Sequence, residues 1–205
     1  MDYNRYKQKI NDMNKNRLEA FSDGVLAILI TIMVLELKIP QGDDWHSFQL
    51  LIPKFVSYIT SFIYIAIYWN NHHHLLHTVK RVTGSILWAN THLLFWLSLV
   101  PFVTAWAGEH HFTELPVAAY SFVLLMAGMA YFILSKTIVA VHGKESLLST
   151  AIGKDFKGII SVIAYALAVI FAFFVKEISL FLILAVAVLW LIPDKRIENK
   201  LKDTE

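Results

Sequence analysis

Asp23 is a carboxylate inside an otherwise apolar run, Phe21-Ser22-Asp23-Gly24-Val25-Leu26-Ala27-Ile28-Leu29-Ile30. A charge at membrane depth costs on the order of 2.5–3.5 kcal/mol on insertion scales, so such a group has a partner or lines water. Arg17 lies nearly two helical turns upstream, within reach of Asp23, and polar groups on other helices could serve equally well. Glu36 and Lys38, at the far end of the same run, read as end charges among lipid headgroups. A second concentration of polar groups is Trp69-Asn70-Asn71-His72-His73-His74, with His77 beyond it. His73 and His77 are four apart and share a helix face, a spacing that can chelate zinc or copper. No carboxylate or thiolate completes a ligand set, since the next acids in sequence are Asp44 and Glu109 and the chain has no cysteine. The histidines therefore read as hydrogen-bonding or interfacial groups, and no metal or bound cofactor is expected. No nucleophile–base pair or acid cluster stands at catalytic spacing, which argues against an enzyme.

The elements that must position these groups are membrane helices. The chain of 205 residues is 57% hydrophobic and only 17% charged, with a mean hydropathy of +0.54, well above a soluble domain. An all-α integral membrane protein is expected. The net charge of +2, with basic residues lying between apolar runs, argues against a nucleic-acid partner. The first sixteen residues are polar and precede the first apolar run without a small-residue cleavage site, so no removable signal peptide is expected.

Six spans are expected after a polar tail over residues 1–16: about 18–39, 52–76, 86–107, 115–140, 159–175 and 178–192, with a second tail over 194–205. Pro40 and Gln41-Gly42-Asp43-Asp44 close the first, and Gly108-Glu109-His110-His111 makes a short loop after the third. Gly128, among Met126, Ala127 and Ala130, suggests close helix packing in the fourth. Six spans place fifteen basic residues on the side of the termini, from Arg5 through Lys80, Arg81, Lys136 and Lys157 to Lys202, against Lys38, Lys54 and Lys176 opposite. The positive-inside rule then puts both termini in the cytoplasm, and the expected location is the cell membrane.

Arg17-x-x-x-Phe21-Ser22-Asp23-Gly24 opening the first span, continued by Thr31 and Leu35-Glu36, resembles the lysosomal potassium-channel family and its bacterial members. Tyr68-Trp69-x-x-His72-His73 at the end of the second span, and Asn90 with Pro101-Phe102-x-Thr104 in the third, extend the resemblance. No second copy of the Arg-x-x-x-Phe-Ser-Asp pattern follows residue 110, which looks like the bacterial branch with one six-helix unit per chain. The resemblance implies a homotetramer in the lipid bilayer, with four first helices around a pore for monovalent cations, chiefly potassium.

Counting by three and four from Gly24 places Ile28, Thr31 or Ile32, and Leu35 on one stripe. Carried over from the family, Ile28 is the expected hydrophobic constriction. Thr31 offers hydroxyls to a partly dehydrated ion, and Ile32 and Leu35 extend the narrow section. There is no Thr-Val-Gly-Tyr-Gly filter, so selectivity for potassium over sodium is expected to be modest, set by pore width and dewetting. The resemblance also implies that Arg17, Ser22 and Asp23 meet polar groups of the second and third helices, for which Trp69, His72, His73 and Asn90 are the matching candidates here, with His92 as a further one. The alternative from the same residues is a secondary transporter of ions or small solutes that uses the Asp and His network.

Overall fold

The computed structural model describes residues 3–40, 42–143, 148–149 and 156–191, and these residues form helices and turns with no strand among them. The helices are α1 (Tyr3–Leu35), α2 (Trp45–Gln49), α3 (Ile52–His77), α4 (Gly84–Ser98), α5 (Val100–Glu109), α6 (Glu114–His142), α7 (Phe156–Phe171) and α8 (Lys176–Leu191). Among the described residues, four stretches are long and apolar enough to cross a membrane: Met13–Leu35, Trp45–His77, Gly84–Glu109 and Glu114–His142. The last hairpin is shorter, with 16 residues in each helix, or about 24 Å at 1.5 Å per residue. Residues 192–193, the tail over 194–205 and the basic residues Lys144 and Lys154 lie outside the described residues.

The polar tail and the first span are one continuous helix, which ends at Leu35 rather than reaching Ile39. Its 33 residues make a rod of about 50 Å, so its first turns stand clear of a hydrocarbon core of roughly 30 Å. The third span is broken. Pro101, at the second position of α5, has no N–H to donate and its ring crowds the carbonyl four residues back, so α4 stops at Ser98 and α5 restarts at Val100. The joint residue Leu99 keeps helical angles, which makes this a kink rather than a reversal.

The molecule divides into two packed groups that share α3 and α6. α1 packs on α3, α4 and α5, whereas α6 packs on α4 and α5 on one side and on α7 and α8 on the other. Ile65, Leu75, Leu93, Ala127, Ala130, Leu134 and Ile138 are fully buried at these contacts. The outward faces are also apolar, with Trp88, Phe102, Phe181 and Val188 each more than half exposed. An apolar core inside an apolar surface is the arrangement of a bundle solvated by lipid. The turn between α3 and α4 is tied to the end of α6, where His142 Nε2 accepts the backbone N–H groups of Lys80 at 3.0 Å and Arg81 at 3.2 Å.

Close backbone approach occurs at a glycine that sequence spacing places in a loop. Gly108 lies inside α5, and a Cβ there would stand 2.8 Å from Lys54 Cα and 3.3 Å from Ser57 Cβ. Lys54 and Glu109, joined at 2.6 Å beside it, hold the same crossing. Gly128 is looser, since its nearest neighbour for an added Cβ is the Tyr165 ring at 3.7 Å. Gly108→Ala should therefore lower the thermal midpoint of the detergent-purified protein, by about 1–3 kcal/mol of overpacking, while Gly128→Ala should leave it nearly unchanged. The comparison is read from the two unfolding curves, and equal midpoints would reject the tight α3–α5 crossing.

Candidate pore helix and its polar anchor

α1 has two unlike faces. Leu18, Ser22, Leu26, Leu29 and Met33 are each at most 6% exposed and follow one another at spacings of three and four, so they form the stripe against α3, α4 and α5. On the other side, Phe21 (59%), Ile28 (57%), Ile32 (41%) and Leu35 (78%) stand open, together with Arg17, Gly24, Ala27 and Thr31. Ile28, Thr31, Ile32 and Leu35 are thus all on the face that the single chain leaves uncovered. Both Thr31 and Ile32 lie on it, one on each flank of a line through Ile28 and Leu35. Nothing lies within 4 Å of a Cβ built on Gly24, so the glycine is open on that face too.

The buried stripe contains one polar side chain, and it is anchored. Ser22, fully buried, donates from Oγ to Leu18 O at 2.9 Å and accepts from Asn90 Nδ2 at 3.0 Å. Asn90 Oδ1 lies 2.6 Å from His72 Nε2. With the amide oriented to donate to Ser22, Asn90 accepts through its oxygen and His72 donates from Nε2. Asn90 and His72 are themselves 1% and 2% exposed. Three helices are thus joined by a chain in which every step has a donor and an acceptor, as apolar surroundings require.

Asp23 stands at the edge of this chain. Its Oδ1 accepts from Trp69 Nε1 at 3.0 Å, and both residues are exposed in the single chain. His73 stacks on Trp69, with ring centroids 6.1 Å apart, and stays on the surface rather than entering the buried chain. Arg17 is exposed and makes no hydrogen bond or ion pair among the described residues, so it does not pair with Asp23 within one chain. His92 accepts from Trp96 Nε1 one turn on in its own helix, which separates it from the Asn90 group. The His73 and His77 rings are 5.4 Å apart, and among the described residues no group of three His, Cys, Asp or Glu converges on a metal position.

A second polar group, which motif reading left unassembled, lies at the other end of the same contact. Ser57 donates to Thr104 O at 2.7 Å, and Ser61 Oγ is 2.6 Å from Thr104 Oγ1 and 2.7 Å from Tyr120 Oη. Thr104 Oγ1 also reaches Met33 Sδ at 4.0 Å on α1. The sequence signal for it is the pair Ser57 and Ser61, four apart on one face of an apolar helix, but nothing local says which helix answers them. α1 is therefore held at Ser22 near one end and touched by Thr104 near the other.

Removing the amide that links the three helices strands two buried groups, because Asn90→Leu leaves His72 Nε2–H and a Ser22 lone pair unanswered. That substitution should cost about 1–3 kcal/mol and lower the yield of folded protein. Asp23→Asn keeps an acceptor for Trp69 at an exposed edge and should cost much less. Thermal unfolding and size-exclusion yield of the two variants, side by side, check the order; equal losses would mean that Asp23 is as central to the anchor as Asn90.

The sequence model of the endosomal/lysosomal potassium channel TMEM175 family matches residues 17–101, the stretch that carries the open face of α1, Trp69, His72 and Asn90. A potassium channel of Chryseobacterium sp. (strain P1-3) is 57% identical over 191 residues, which is 93% of this chain and 100% of that protein. The human endosomal/lysosomal proton channel TMEM175 is 30% identical over 101 residues, 43% of this chain and 20% of its own. Among solved structures, the crystal structure of a lysosomal potassium-selective TMEM175 homolog from Chamaesiphon minutus superposes with a TM-score of 0.77 at 28% identity, covering 89% of this chain and 98% of that one. A relative this similar along its whole length, sharing this helical architecture, places the chain in the TMEM175 family of membrane channels.

Proposed function

We propose that this chain is one subunit of a homotetrameric, potassium-permeable channel of the cell membrane, with the open face of α1 lining the pore. The observation that carries this reading is the uncovered stripe Gly24, Ile28, Thr31, Ile32, Leu35, set opposite a fully packed stripe on the same helix. Other bare faces of the bundle carry large apolar side chains that suit lipid, whereas this one also carries Gly24, Ala27 and Thr31, the small and hydroxyl residues that let helices approach, and this supports contact with copies of itself. The names of the bacterial relatives as potassium channels agree with it. With six spans, the excess of Lys and Arg on the side of the termini puts both ends in the cytoplasm.

In this arrangement Ile28 forms the constriction. A ring of sec-butyl groups offers water no hydrogen bonds, so a narrow ring empties of water and conducts only when it widens. Thr31 sits one turn outward. Its Oγ1 already donates to Ile28 O at 2.8 Å, so the hydroxyl proton is spent and the oxygen lone pairs are left for a cation. Ile32 and Leu35 continue the narrow section, and selectivity for potassium over sodium follows from the cost of stripping water at that width. Arg17 and Phe21 lie on the same stripe at its cytoplasmic end. Asp23, flanking the stripe and bonded to Trp69, positions α1 and does not bind the permeating ion.

Two measurements test this. Potassium flux in proteoliposomes should rise for Ile28→Asn relative to wild type, with discrimination against sodium reduced, because an amide hydrates the ring. Folded wild-type protein that passes no cation under any gradient would overturn the channel reading. Since the native chain has no cysteine, single cysteines map the face cleanly. Flux through Ile28→Cys and Leu35→Cys should be blocked by a water-soluble thiol reagent, and flux through Leu29→Cys should not; block at Leu29 would place the wrong face in the pore.

A further inference from the structure

A crevice opens on the side of α3 that α1 does not cover, between α3, α6, α7 and α8, and no α1 residue lines it. Its walls include Tyr68, Gly128, Tyr131, Phe132, Ser161 and Trp190, and they line a narrow groove with a cavity volume of about 40 Å³ that opens to the outside of the bundle. The walls are held in place. Trp190 Nε1 donates to Ser161 Oγ at 2.8 Å, Tyr131 Oη donates to Asn71 O at 3.2 Å, and the Tyr131 and Trp190 rings meet edge-on at 6.2 Å. The floor at Gly128 leaves ordinary contact distance to Tyr165 and Tyr68 even for an added Cβ, at 3.7 and 3.9 Å.

Two cations stand on rings that form the wall. Lys136 Nζ lies 5.2 Å from the centroid of Phe132, and Lys157 Nζ lies 5.9 Å from that of Trp190. Lys136 is in the last turns of α6 and Lys157 in the first turn of α7, so both mark the same end of the crevice, where the bundle meets the membrane surface. A narrow apolar groove between helices, with cations at one end, matches an amphiphile with an apolar chain lying along it and an anionic head.

We propose that this crevice binds an anionic phospholipid, with one acyl chain between Tyr68, Phe132 and Trp190 and the phosphate drawn to Lys136 and Lys157. The chain supplies the dispersion contacts that fixed aromatic walls would otherwise lack, and two lysines at the headgroup level discriminate against a zwitterionic head by roughly tenfold or more.

The test is lipid retention by the purified protein, read by native mass spectrometry and by the shift in thermal midpoint. Phosphatidylglycerol and phosphatidylcholine with identical acyl chains are titrated against the wild type, Lys136→Gln/Lys157→Gln and Gly128→Leu. Wild type should retain phosphatidylglycerol at roughly tenfold lower concentration than phosphatidylcholine. The lysine double variant should bring the two lipids level, and filling the crevice at Gly128 should reduce retention of both. Equal retention of the two lipids by wild type, or a preference that survives the double variant, would overturn the proposal. So would a Gly128→Leu protein that keeps its lipid but changes its subunit number, which would make the crevice a contact between copies. If Gly128→Leu does not fold, the two lysines, exposed or half-buried at the rim, decide the question alone.

Discussion

The hydrogen bonds from Asn90 to Ser22 and to His72 fix how α1 is turned, and the rest of the molecule depends on that rotation. In an apolar bundle a hydroxyl, an amide and an imidazole have no water to fall back on, so separating them leaves several groups unsatisfied at once. Rotating α1 by one residue's worth of arc would carry Ser22 away from Asn90 and move Ile28 off the centre of the open face. The anchor and the open stripe are therefore two consequences of one constraint. The anchor stands near the start of the apolar run and the stripe follows it, so each turn from Gly24 to Leu35 inherits its facing from Ser22.

A second hold lies farther along the same helix. The hydroxyls of Ser57, Ser61, Thr104 and Tyr120 join α3, α5 and α6, and Thr104 touches Met33 of α1. The kink at Pro101 brings Thr104 into this group, because α5 leaves the line of α4 and its backbone closes on α3 at Gly108. Proline, glycine and threonine within eight residues thus serve one crossing. The two polar groups divide the work: one sets the rotation of α1, and the other sets the distance between the helices behind it.

The half of the molecule beyond α6 is built differently. Beside small and aliphatic residues such as Ala168, Ile183, Val186 and Ala187, the contacts among α3, α6, α7 and α8 use aromatic side chains whose polar tips bond to a backbone or side-chain oxygen: Tyr64 to Ile183, Tyr131 to Asn71, Trp190 to Ser161. Such side chains fill volume and satisfy their own polarity without a network through the core. The crevice between α3, α6, α7 and α8 lies among these side chains.

Much of this was legible in the sequence. Apolar runs of span length determined an all-helical membrane bundle, and a carboxylate within the first run marked α1 as a helix with polar partners. The spacing of Gly24, Ile28, Thr31, Ile32 and Leu35 determined that they share a face, because helix geometry alone settles which residues align. Spacing cannot say whether such a face is covered. Only the packing of α3, α4 and α5 against Leu26, Leu29 and Met33 decided that the opposite face is the open one. The polar residues show the same division. Their types marked Ser22, Asp23, Trp69, His72, His73 and Asn90 as candidates, but which of them meet depends on helices up to 68 residues apart in the chain. Tertiary structure buried Ser22, Asn90 and His72 together, left Asp23 and Trp69 at the rim, kept Arg17 and His73 on the surface, and placed Gly108 inside a helix with its backbone close against Lys54. Contacts between distant segments are set by how whole helices fill space against one another, and no local pattern encodes that.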